Sequence, residues 1–163
     1  MIFGVTGVDP GLVNSGVVTL KWDTQMQTFS RHYLIMDRLE PDLFSEWVEE
    51  LHPGIPVVCE AYRPRANYGT DPKMSALIHE IKLLAPKAMV LQNQGVKKIV
   101  TQSFMELWNM WTWPSTNHND LRSAARIGLY YLFKQPQMNK ELALATSYML
   151  DDPLSWKELR CDC

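Results

Sequence analysis

Between Ile2 and Gly16 the chain reads I-F-G-V-T-G-V-D-P-G-L-V-N-S-G, the order of a strand, a tight turn and a second strand. Apolar Phe3, Val5 and Val8 lead into Asp9, the chain turns through Pro10 and Gly11, and a second apolar run follows in Val17-Val18-Thr19-Leu20. Pro and Gly punctuating two apolar runs predict an antiparallel hairpin, with a carboxylate at the end of its first strand. An acid ending a buried strand is costly unless something pairs with it. A bound metal ion would pair with Asp9, and so would the amides of the turn itself. This segment alone leaves both readings open.

Outward from the hairpin, Gln27 to Met36 is rich in β-formers and predicts a third antiparallel strand. Leu39, Leu43, Phe44, Trp47, Val48 and Leu51 recur at helical spacing and predict a helix ending before Pro53. Pro56 to Ala61 is a short apolar run that predicts a buried strand, and it delivers a second carboxylate, Glu60, near its end. A loop of aromatics and arginines follows, with Tyr62, Arg63, Arg65 and Tyr68. Met74, Leu77, Ile78, Ile81 and Leu84 mark a helix, Ala88 to Gln92 a strand, and Val96 to about Met110 a further helix. After the loop Trp111 to His118, a last clear helix opens near Asn119 or Asp120, with Leu121, Ala124, Ala125, Gly128, Leu129 and Leu132 along one side. Three antiparallel strands followed by β-α alternation predict an α/β fold, a mixed sheet whose later strands are parallel, with helices on both faces. Residues 1–135 form the expected domain, and 136–163 a tail with one short helix from Lys140 to Leu150.

A chain of 163 residues with 46% hydrophobic and 21% charged residues is expected to hold one full-sized core. No apolar run reaches the roughly 18 residues that span a bilayer, and no signal peptide is visible. Cys59, Cys161 and Cys163 are too few and too badly placed for a disulfide framework, so a cytoplasmic protein is expected. The net charge of -2 conceals a division. From Arg63 to Lys140 there are eleven Lys and Arg against four acids, while Asp37 to Glu60 holds seven acids and one Arg. A basic middle section points to a polyanionic partner; solvated helix faces are the alternative.

Asp9, Glu60 and Asp120 each sit at the boundary of an element, and together they suggest three acids at one sheet edge. Convergence would require their repulsion to be relieved, which hard divalent cations with oxygen ligands do well. Two Mg²⁺ ions about 4 Å apart would activate water and stabilise the leaving oxygen of a phosphodiester. Paired carboxylates acting on a glycoside need only two acids, and the arginine-rich loop favours phosphate over sugar.

The run V-D-P-G-x-x-x-S-G, Val8 to Gly16, resembles the first motif of the RuvC-type Holliday-junction resolvases of the RNase H-like superfamily. Val57-Val58-Cys59-Glu60 resembles that family's second acidic strand, and Val96-Lys97-Lys98-Ile99-Val100-Thr101 its V-K-x-x-V-T segment, in which a lysine approaches DNA. Asn119 to Arg126 resembles its acidic C-terminal helix, most closely in the small phage-encoded members, and the similarity extends over roughly Val5 to Phe133. The resemblance implies an RNase H-like fold and an endonuclease that cleaves four-way and other branched DNA with two Mg²⁺ ions, Mn²⁺ substituting. It also implies a homodimer in the host cytoplasm, with no membrane partner. Asp9, Glu60 and Asp120 would be metal ligands and catalytic, assisted by His118. Arg63, Arg65, Tyr68, Lys97, Lys98 and Arg122 would hold DNA. One feature departs from the family: a carboxylate is missing near Asp120, leaving His118, Asn117 or Ser123 for a fourth position. His118 or Asn119 also suits a helix cap. The rival readings are a nuclease for hybrids or flaps, and a branched-DNA-binding protein that has lost catalysis.

Overall fold

In a computed structural model of the chain, which describes residues 1–61 and 71–151, the opening segment is an antiparallel hairpin. Strand β1 (Ile2–Asp9) pairs with β2 (Asn14–Asp23) in a register running from Ile2↔Asp23 to Asp9↔Gly16. Strand β3 (Thr28–Asp37) adds antiparallel to β2. On the other side of β1, β4 (Val57–Glu60) pairs in parallel, and β5 (Met89–Leu91) pairs in parallel with β4. The sheet order β3-β2-β1-β4-β5 is the mixed sheet expected from the element order.

Alternation along the strands sends side chains to two cores. Val8, Val17, Val57 and Cys59 meet Phe44, Trp47, Leu77 and Ile81 on one face. These come from α1 (Pro41–Ser45), its π-helical continuation Glu46–Leu51, and α2 (Pro72–Leu84). Three polar groups buried on that face satisfy one another: Thr6 and Thr19 share a 2.8 Å hydroxyl contact, and Trp47 Nε1 donates to Thr19 Oγ1 at 2.9 Å.

The opposite face, Val5, Val18, Leu20, Trp22 and Val58, is covered by the remaining helices. These are α3 (Val96–Ile99), α4 (Gln102–Leu107), α5 (His118–Lys134) and α6 (Pro136–Asp151). The single helix expected from Val96 to Met110 is two short ones. The backbone turns extended at Thr101 (φ -71°, ψ 163°), whose hydroxyl accepts from Phe104 N at 3.2 Å and caps α4. The tail helix starts at Pro136 rather than Lys140, and its Met138, Leu142 and Ala145 are fully buried against α5 and its neighbours.

Helix α5 lies unusually close to the hairpin. A Cβ on Gly7 would stand 2.0 Å from the Ala124 carbonyl oxygen, and one on Gly16 would stand 2.7 Å from the Asp120 carbonyl. Any side chain at either position would displace the helix, so the two glycines set its height above the sheet. Among the described residues no helix is long and apolar enough to cross a membrane.

Candidate functional site

The sheet register and the glycine contacts bring three acids to one edge. Val5, Gly7 and Asp9 alternate onto the α5 face of β1. The β1–β4 ladder runs Thr6↔Val57, Gly7↔Val58, Val8↔Cys59, so the next step sets Asp9 level with Glu60. Across the hairpin Asp9 faces Gly16, and the Asp120 backbone lies directly over Gly16. Asp9 is therefore the middle member, with Glu60 on one side and Asp120 on the other.

Its electrostatics follow from that position. Burial, then the charge of Glu60, then that of Asp120 push the Asp9 carboxyl up to about 8, opposed by a hydrogen bond with the Ser123 side chain. Burial also raises Glu60, against an Asn93 hydrogen bond and the positive charges of Lys97 and Arg126. Burial raises Asp120. The site's cations thus act on Glu60, while Asp9 sits between two acids.

An acid buried between two others is short of positive charge, and the donors on offer are carboxylate and hydroxyl oxygens. That chemistry fits hard divalent cations such as Mg²⁺ or Mn²⁺. Among the described residues no three His, Cys, Asp or Glu side chains form a ready-made ligand set for one ion. The acids adjoin instead as two pairs with Asp9 in common.

The other residues singled out from the sequence fall in distinct places. Ser123, one of the three candidates for the fourth position, is the one joined to Asp9. Asn117 precedes α5 and makes no side-chain cap bond, while its amide donates to Ser115 Oγ at 3.1 Å. His118 opens α5, and its buried Nδ1 has no hydrogen-bond partner among the described residues. Lys97 flanks Glu60, and Lys98 follows it on the exposed side of α3. Arg122 stacks over Trp111 at 4.2 Å and donates Nε to the Trp111 carbonyl. Arg126 donates Nε to Val100 O at 3.2 Å. Arg63, Arg65 and Tyr68 lie outside the described residues.

Asn93 is a site residue that the sequence reading passed over. Its Nδ2 donates to Glu60 Oε1. The available signal was positional: Asn93 lies just beyond the C-terminal end of a parallel strand, where α/β sheets gather their sites. A small cleft joins Glu60, Asn93, Lys97, Ser123 and Arg126. The wider cleft, about 720 Å³, lies at the far end of the sheet around Pro53–Pro56 and Tyr131, and its lining holds no carboxylate.

No protein-family model matches the sequence, and no curated protein matches it. Solved structures do. A Thermus thermophilus RuvC structure superposes with a TM-score of 0.62 at 13% identity, covering 80% of this chain and 94% of that one. T. thermophilus RuvC in complex with Holliday junction substrate gives 0.59 at 13% identity, covering 80% and 93%. The fowlpox virus Holliday junction resolvase gives 0.55 at 18% identity, covering 82% and 99%. The five-stranded mixed sheet, with helices on both faces and α5 laid across the opening hairpin, is the fold this chain shares with those RuvC and resolvase structures.

Proposed function

We propose that the chain is a divalent-cation-dependent endonuclease that cleaves branched DNA such as four-way junctions. The observation that carries this reading is the placing of Asp9 between Glu60 and Asp120 by the strand register and the Gly16 contact, where burial first and then the two neighbouring charges raise its carboxyl to about 8. The fold shared with two proteins described as acting on or bound to Holliday junctions supports the choice of substrate.

Asp9 would be common to two cation positions, with Glu60 completing one and Asp120 the other. Mg²⁺ or Mn²⁺ held there supplies Lewis-acid stabilisation of the phosphate and a water of lowered pKa. Ser123 keeps the Asp9 carboxylate oriented through its hydrogen bond, and Asn93 does the same for Glu60. Lys97, exposed beside Glu60, would meet a phosphate, and Lys98, Arg63, Arg65 and Tyr68 would hold neighbouring DNA. His118, with its unpartnered Nδ1, would position or accept a proton from water. Paired nicks across a junction require two sites, hence a homodimer.

Cleavage of a four-way junction, a flap and an RNA–DNA hybrid, each with Mg²⁺ or Mn²⁺, tests this directly. Preferential nicking of the junction, abolished by Asp9→Asn, is the expected result; cleavage of the hybrid alone would move the assignment to an RNase H-type activity. A second reading, binding without cutting, is favoured by one observation: the group joined to Asp9 from α5's next turn is the hydroxyl of Ser123, not a further carboxylate. A wild type that binds junctions tightly and cuts none would establish it.

A further inference from the structure

We infer that Asn93 is a positioning residue for Glu60, the element that fixes which of the Glu60 oxygens faces Asp9; this rests on the cation-site reading above. The placement follows from strand geometry. Glu60 pairs with Leu91 across the β4–β5 ladder, and side chains two residues apart on a strand share a face. Asn93, two residues beyond Leu91, therefore rises on the same side as Glu60 where β5 ends. Its amide nitrogen donates to Glu60 Oε1.

The rest of Asn93 is tied down as well. Its carbonyl accepts from Val96 N at 3.2 Å, closing the turn through Gly95, whose φ of 82° admits glycine with least strain. That turn opens α3 and sets Lys97 beside Glu60. The backbone of Asn93 thus anchors the lysine, while its side chain holds the acid that the lysine flanks.

Glu60 is partly buried and has three side-chain torsions, so an unheld carboxylate would rotate among several rotamers. An amide donor on Oε1 holds that oxygen and leaves Oε2 as the one outside this bond. The residue type matters. Asp at this position would offer a second carboxylate and repel Glu60, Ala would leave it unheld, and Gln would keep the donor on a longer stem. Partners of this kind, which orient a metal-binding group without touching the metal, change affinity or activity by roughly 10–100-fold on removal.

The test compares wild type with Asn93→Ala, Asn93→Asp and Asn93→Gln. Three quantities are measured: Mn²⁺ binding by electron paramagnetic resonance, the rise in Tm that Mn²⁺ produces, and single-turnover junction cleavage. Mn²⁺ affinity and cleavage are expected to fall roughly 10–100-fold in Asn93→Ala, further in Asn93→Asp, and less in Asn93→Gln. The Mn²⁺-induced rise in Tm shrinks in the same order. Equal Mn²⁺ affinity in wild type and Asn93→Ala overturns the inference, as does a Tm loss in Asn93→Ala that is the same with and without Mn²⁺. A wild type that binds Mn²⁺ but cleaves nothing sinks the nuclease reading alone, because the Mn²⁺ measurements still decide the role of Asn93. A wild type that binds no Mn²⁺ removes both.

Discussion

Asp9 couples the site to the stability of the whole chain. Its carboxyl sits at about 8 in the metal-free fold against an ordinary value of 3.8, so between those pH values the folded chain binds a proton that the unfolded chain has released. Stability from this group is full below about pH 4 and is lost as pH climbs toward 8. Metal-free protein should therefore melt lower at pH 8 than at pH 5 in EDTA, and Asp9→Asn should flatten that difference. Because a cation takes the proton's place, added Mn²⁺ should raise the wild-type Tm most at the alkaline end. The same substitution should reduce cleavage by orders of magnitude while leaving the fold intact, as shown by circular dichroism. Asp9, Glu60 and Asp120 were legible because each closes or opens an element marked by Pro, Gly or an apolar run. Asn93 was not, because Gln92-Asn93-Gln94-Gly95 reads as ordinary turn composition, and only the β4–β5 pairing reveals what the amide faces.

Helix α5 carries the third acid, and its seat on the hairpin is made of missing side chains. Gly16→Ala should push the Asp120 turn away from Asp9, at a cost on the order of 1–3 kcal/mol measured by chemical denaturation. Cleavage should fall by more than the stability loss explains, since the displaced residue is a proposed ligand. Arg122 and Lys97 separate two roles that charge counting merged. Arg122 braces the 111–117 loop through Trp111, so Arg122→Ala should lower stability by about 1–2 kcal/mol and leave the salt dependence of DNA binding unchanged. Lys97→Ala should instead reduce the slope of log affinity against log salt by about 1, with little effect on Tm. The break between α3 and α4 escaped sequence reading because Val96, Val100 and Phe104 stay in helical phase across it. Thr101, three residues ahead of the amide it caps, was the one local sign.

At the scale of the molecule, the strand order placed two acids side by side although β1 and β4 are remote in sequence. The alternation of antiparallel then parallel strands could be read from element order, but the seating of β4 beside β1 depends on both faces of the sheet being covered at once. Helix α6 completes one of those covers. A chain ending at Gln135 would expose the seats of Met138 and Leu142, which are fully buried, and should lose on the order of 3–6 kcal/mol in a denaturant titration. The spread of the three acids over β1, β4 and α5 also bears on how the protein is made. A nascent chain leaving the ribosome carries Asp9 first and Glu60 later, yet has nothing to lay over Gly16 until α5 emerges. On the nuclease reading, synthesis would therefore yield no intermediate holding all three acids together, and the site would form only once α5 has folded onto the hairpin.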